Sequence, residues 1–306
     1  GDIAFMYGNQ DSFTIISPIY ALVLEFFSVE MGAKIICIVS HLFFAIASIM
    51  LLDVWTKKFH CNKYLLPLVF VFFYLYCSYG ETRSVLNQIN YVEPYFAPRT
   101  LSAAFGLLGL TILFRKKWIS LLLFLGGMLF HPLMAGWGLP LWLFFYYPKT
   151  VYPISIFSLL FPLTLFLKIG PFDAFDTDWR SFYKTIHFFH FASFLLFYAY
   201  CWRYAQNKAV KNIARALFWI VSIALYWHVV GIKTEHIFLN MVQTFRIEWL
   251  CIATTFPLFC IVLYNLFVNK IRKRKALCLT EKLIFLFLFL FWIDSVLIDA
   301  LTLISL

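Results

Sequence analysis

The sequence predicts an all-α membrane protein, a polytopic transmembrane helical bundle of about ten membrane segments, some of them short or re-entrant. Three observations predict it. The 306 residues are 63% hydrophobic and only 13% charged, which is more apolar surface than a soluble domain of this length can hide. The apolar residues fall in continuous runs rather than alternating, which excludes a transmembrane β-barrel. The basic residues are segregated between alternate loops, as the positive-inside rule requires of a membrane bundle. The 38 Phe residues suit lipid contact and interfacial belts.

Residues 1–33 are expected to form an extracytoplasmic N-terminal loop. Within it, 13–28 is apolar but interrupted by Pro18 and Glu25, which suits an interfacial or re-entrant helix better than a span. A membrane segment is expected ahead of residue 1, with processing as the alternative. Residues 34–306 are expected to form the transmembrane domain, with spans near 35–53, 64–80, 100–114, 118–131, 133–147, 151–168, 186–203, 216–232, 247–269 and 283–303. Two of these, 100–114 and 118–131, fall below the roughly 17–25 residues of an ordinary span. Either they extend into flanking polar residues, or they are broken helices whose backbone is covered by protein.

Alternating the loops puts Lys57, Lys58, Lys63, Arg115, Lys116, Lys117, Lys149 and the run NKIRKRK at 269–275 on one side, the cytoplasm. The formal charge of +10 therefore reads as topology, and no nucleic-acid partner is expected. Most acids fall on the opposite side, in longer loops rich in Trp, Tyr and His, so chemistry is expected on the outer face. No phosphate-binding glycine loop is present. The seven cysteines show no CxxC spacing and read as packing residues.

Five outer-face constellations carry candidate chemistry. GNQDSF, 8–13, offers Asp11 as a turn or helix cap, the commoner local role of Asp, with a general base as the functional alternative. The island ETRSVLNQINYVEPYFAPRT, 81–100, holds Glu81, Arg83, Glu93 and Arg99 between two apolar blocks. Ionisable groups at membrane depth are costly and face a cavity or a partner. Arg83 and Arg99 suit a phosphate clamp, because guanidinium matches phosphate oxygens two at a time; structural salt bridges with Glu81 and Glu93 are the alternative. His131 precedes Pro132, which ends a helix there, and is either a proton-transfer group or a hydrogen-bonding link between helices. FDAFDTDWRSFYKTIHFFH, 172–190, contains Asp176 and Asp178 in a D-x-D. With His187 and His190 it is a possible divalent-metal set, though no further ligand is fixed. Trp179 beside it suits sugar stacking or interface anchoring. Arg246, near Gln243 and Glu248, is a third phosphate contact or an interfacial ion pair.

Taken in order, the polar Asp loop, YFAPRTLSAAFGLLGL, LFHPLMAGWGLPLW, the FDTDW loop and VQTFRIEWL resemble a group of bacterial integral-membrane proteins similar to the GT-C superfamily of membrane glycosyltransferases. The resemblance implies a multi-helix membrane fold with a catalytic carboxylate in the first outer loop. By that analogy Asp11 is the base, with Asp2 the alternative, and a polyprenyl-phosphate-linked sugar donor is held by outer-face arginines. Neither the first membrane helix nor the large outer domain of that superfamily is contained in these residues.

The leading expectation is sugar transfer from a polyprenyl-phosphate donor to a glycan or lipid acceptor, on the extracytoplasmic face of the bacterial inner membrane. Asp11 and His131 are the catalytic candidates. Arg83, Glu93, Arg99, Asp176, Asp178, Trp179 and Arg246 are the lipid-phosphate and substrate candidates. No cofactor is assigned, a divalent metal being the open alternative. The bilayer and the lipid-linked donor are the expected partners, with membrane-protein partners as a further option. Two other readings stand beside this one. The first is a transporter or flippase of lipid-linked oligosaccharide, coupled through Asp294 and Asp299. The second is a non-catalytic subunit of an envelope complex.

Overall fold

The computed structural model describes residues 15–58, 98–160, 185–205, 207–234 and 247–266. They are helical, with no strand among the described residues. The chain divides into two compact units, of which the first runs through Trp142 and the second resumes at Leu143.

Prolines mark half of the ten described α-helix starts. In α1 (Ile16–Leu24) Pro18 lies in the first turn. In α3 (Pro98–Ile112) and α5 (Pro132–Ala135) proline is the first residue. In α6 (Gly138–Tyr146) and α7 (Val151–Leu160), Pro140 and Pro153 again lie in the first turn. The first four N–H groups of a helix have no intrahelical acceptor, so proline's missing donor costs nothing there. Pro257 is the exception, inside α10 (Glu248–Leu266).

Two helices are long and apolar enough to cross a membrane: α2 (Val29–Lys58) with 30 residues, and Lys208–Val230 with 23 residues, within α9 (Lys208–Thr234). At about 1.5 Å per residue both exceed the roughly 30 Å hydrocarbon core. The outward face of α2 carries Ile38, Val39, Leu42 and Ile46, all exposed. An unbroken apolar stripe of this kind suits lipid rather than water. The helix overruns the expected 35–53 at both ends. Glu30 pairs with Lys34 and Asp53 with Lys57, each one turn apart, and such pairs let a helix continue through polar residues.

In the first unit α2 and α3 run parallel. Phe43 packs on Phe105, and twelve residues later Trp55 packs on Phe114, with ring centroids 5.3 and 5.6 Å apart. The Trp55 indole also donates to the Leu110 carbonyl at 3.4 Å. A tight turn through Arg115 and Lys116, both donating to the Ile112 carbonyl, reverses the chain into α4 (Lys117–Phe130). The Ser120 hydroxyl fastens this hairpin to the Gly109 carbonyl at 2.8 Å. Both helices are short, with 15 and 14 residues, in keeping with the short-segment expectation.

The expected single span at 133–147 is corrected. It is broken into α5 of 4 residues and α6 of 9 residues. His131 takes an extended conformation (φ −155°, ψ 98°) and Pro132 restarts the helix. The chain then folds back so closely that a Cβ on Gly127 would lie 2.7 Å from the Cβ of Ala135.

In the second unit α8 (Thr185–Tyr204) and α9 form a hairpin. Asn207 caps α9, its side-chain oxygen accepting from the Ala209 N–H at 2.8 Å, as capping residues do. Trp227 and Tyr226 on α9 donate to the Ser158 and Leu159 carbonyls at the end of α7, at 2.9 and 3.0 Å. The expected spans 64–80 and 283–303, and the latter part of 151–168, lie outside the described residues.

Candidate functional site

The antiparallel pairing of α3 and α4 brings the start of α3 beside the end of α4. The Ser102 hydroxyl donates to the His131 carbonyl at 3.0 Å. Arg99 is three residues from Ser102, so the two share one face of α3, with Arg99 one turn nearer the helix end. Arg99 and His131, separated by 32 positions in the chain, are thus placed at the same end of the first unit. Both are half-buried. Thr100, the next residue, is fully buried, and its hydroxyl has no hydrogen-bond partner among the described residues. A buried hydroxyl without a partner is costly, which marks this turn as a place where a polar group belongs.

The local electrostatics favour an anion. The N-terminus of α3 carries the positive end of its helix dipole, and the guanidinium of Arg99 adds a full charge. The end of α4 brings the opposite, negative pole to the same place, a partial charge smaller than the full charge of Arg99. The N-terminal segment is fastened here too: the Ile15 N–H donates to the Leu129 carbonyl at 3.0 Å. That carbonyl belongs to the last turn of α4, where no helical donor is left to satisfy it.

Of the expected site residues, the structure places Arg99 and His131 at the same end of the first unit. Asp11, Arg83, Glu93, Asp176, Asp178, Trp179 and Arg246 lie outside the described residues. His187 and His190 fall in the first turns of α8. No group of three or more His, Cys, Asp or Glu side chains that could hold a metal occurs among the described residues. Sequence reasoning missed Thr100 and Ser102. Their signal was present in PRTLS, where two hydroxyls and a guanidinium fall within one turn of a proline-initiated helix.

The opposite end of the same unit has a different character. The parallel pairing of α2 and α3 gathers Lys57, Lys58, Arg115, Lys116 and Lys117 there, away from Arg99 and His131. This is the separation that alternating the loops requires.

No protein-family model matches the chain, and no curated protein or solved structure was found to be similar to it.

Proposed function

We propose that this chain is a polytopic membrane protein of about ten segments that binds a polyprenyl phosphate on the extracytoplasmic side of a bacterial inner membrane. We propose further that it acts as a GT-C-like glycosyltransferase. The observation that carries the reading is the bond from Ser102 to the His131 carbonyl where α3 begins and α4 ends, one turn after Arg99 and the buried, unpartnered Thr100 hydroxyl. This is a cationic, hydroxyl-bearing corner in an apolar helical unit. A phosphate monoester or diester on a lipid tail matches both the corner and its surroundings.

In the reaction, the acceptor hydroxyl attacks the anomeric carbon of the donor. The new carbon–oxygen bond forms as the bond from that carbon to the phosphate oxygen breaks. The polyprenyl phosphate leaves with the bonding electrons, and the hydroxyl proton passes to the Asp11 carboxylate. Arg99, aided by Arg83 and Arg246, neutralises the departing phosphate. His131 donates a hydrogen bond, and Glu93 orients an arginine. Asp176, Asp178 and Trp179 contact the sugar. Positioning and charge neutralisation supply most of the rate in such a scheme.

The test is native mass spectrometry of the full chain in mild detergent, with undecaprenyl phosphate as the probe. The wild type is expected to retain it. Arg99→Gln should lower retention about ten-fold, one lost charge-assisted contact, and Arg99→Lys should lower it less. Retention of bulk phospholipid only, or Arg99→Gln behaving as wild type, overturns the lipid-phosphate site. A variant Asp11→Asn that binds normally and still turns over removes Asp11 from the role of base.

A further inference from the structure

The first unit ends, opposite Arg99 and His131, in a surface that the reaction does not use. Three helix ends converge there. Trp55 packs against Leu110 and Phe114, which places the last turn of α2, with Lys57 and Lys58, beside the last turn of α3. The turn into α4 adds Arg115, Lys116 and Lys117, and the Ser120–Gly109 hydrogen bond holds that turn against α3. Lys57, Lys58, Arg115 and Lys116 are exposed. Among the described residues at this end, the carboxylate present is Asp53, and it is engaged by Lys57 at 2.6 Å. Among the described residues at this end, the cations outnumber the carboxylate.

Two tryptophans lie within the cluster. The Lys117 ammonium sits over the rings of Trp118 and Trp142, 4.8 and 5.5 Å from their centroids. Trp142 is held in place by its indole N–H, which donates to the Lys117 carbonyl at 2.8 Å. Trp118 is 62% exposed. An exposed indole beside ammonium groups is the arrangement that sits at the headgroup level of a bilayer. Directly below the cations the surface turns apolar on two helices. Ile46, Ile49 and Met50 are exposed on α2, and Ile119, Leu122 and Leu125 are exposed on α4.

We propose that this end of the first unit is a binding site for an anionic phospholipid. Lys57, Lys58, Arg115, Lys116 and Lys117 hold the headgroup, Trp118 packs at its edge, and the exposed aliphatic side chains of α2 and α4 take the acyl chains. The continuity of cations with an apolar wall selects the occupant. A soluble anion would use the charges and leave the wall bare. A zwitterionic lipid would use the wall and gain little from the charges. The uncapped start of α4 adds the positive end of a helix dipole to the same place. This site is distinct from the Arg99 corner and does not rest on the glycosyltransferase reading.

The test uses the full chain in nanodiscs of mixed phosphatidylglycerol and phosphatidylcholine, followed by native mass spectrometry after progressive delipidation. The wild type should retain phosphatidylglycerol in preference to phosphatidylcholine, and inorganic phosphate should not displace it. The variant Arg115→Gln/Lys116→Gln, which changes only exposed side chains, should lose about ten- to thirty-fold in retention, as expected for two surface cations near an anionic headgroup. Lys57→Gln/Lys58→Gln on the neighbouring helix tests the same site independently, should the first variant fail to fold. Equal retention of both lipids, displacement by inorganic phosphate, or wild-type retention in a folded variant each overturns the proposal.

Discussion

The two units are held together by different means. In the first, helices meet through missing side chains. The ring of Phe124 occupies the space that a Cβ would need at both Gly109 and Gly138, and Gly127 lets α5 fold back against α3 and α4. In the second, helices meet through polar tethers. Tyr198 on α8 reaches Thr254, Thr255 and the Cys251 carbonyl on α10, at 2.9, 2.8 and 3.2 Å. Trp227 and Tyr226 tie α9 to α7 in the same way. Lipid tails are as apolar as leucine, so burial alone does not drive helices together in a membrane; close packing and interhelical hydrogen bonds do. The second unit shows the tethers, whereas the first adds close packing at its glycines to interhelical bonds of its own, Ser102 to His131 and Ser120 to Gly109 among them. The candidate site sits on the one with the less exchangeable contacts, where a corner of four residues can be held in fixed register.

The largest expected effect breaks the packing device. A Cβ on Gly138 would fall within the Phe124 ring, and Phe124 is fully buried, so it has nowhere to go. Gly138→Ala should destabilise the first unit by about 2–3 kcal/mol, the cost of overpacking a filled core. Gly126→Ala is the control. Its Cβ would meet Phe105 at 3.5 Å, an ordinary contact, and alanine gains about 1 kcal/mol over glycine inside a helix. It should therefore be neutral or stabilising. Unfolding in mixed detergent, followed by circular dichroism, separates the two. Equal effects at the two glycines would mean that close approach does not hold the first unit together.

The next effect concerns the tethers. The Thr254 hydroxyl also donates to the Leu250 carbonyl at 2.7 Å. The single Tyr198 proton is then shared between Thr254 and the Cys251 carbonyl, and Tyr198 accepts from Thr255. Tyr198→Phe removes these bonds and should cost about 1 kcal/mol, within the range of interhelical hydrogen bonds in membranes. A double-mutant cycle with Thr255→Val should return a coupling of about 0.5 kcal/mol or more. A cost at Tyr198 as large as that at Gly138 would erase the contrast between the units.

These differences also show what was legible in advance. The helical class followed from continuous apolar runs. The parallel sense of α2 and α3 followed from the side on which Lys57, Lys58, Arg115 and Lys116 fall, because orientation is written in charge. The break after His131 was marked by Pro132. The second break, between α5 and α6, was marked by Gly136, Gly138 and Pro140, but too briefly to interrupt the apolar run. It depends on Gly127 meeting Ala135 across helices, and hydropathy carries no information about that approach. The ends of α2 were missed for a related reason. Its flanking charges looked like loop, yet Glu30–Lys34 and Asp53–Lys57 pair along the helix.

Ser102 was the hardest residue to foresee, and it supplies the smallest and sharpest prediction. A hydroxyl in an apolar helix ordinarily donates to the carbonyl one turn back. Ser40, Ser48, Thr56 and Thr111 all do so, to Ile36, Phe44, Leu52 and Leu107. Its place in PRTLS, in the second turn of a proline-initiated helix, is the one sequence mark that sets Ser102 apart from them. It differs because the end of α4 lies opposite and presents the His131 carbonyl, which the extended conformation at His131 turns away from its own helix. Ser102→Ala should cost about 0.5–1 kcal/mol, a single hydrogen bond, and Thr111→Val about as much or less. Stability alone would not tell them apart. Lipid-phosphate retention should. Loosening Ser102 from His131 frees the end of α4 from the turn that carries Arg99, so retention of undecaprenyl phosphate should fall about three-fold, the equivalent of a fraction of a kcal/mol. Thr111→Val, bonded within its own helix, should leave retention unchanged. If the two variants lower retention equally, the bond across the helices has no part in positioning the corner, and Arg99 and His131 are neighbours without being partners.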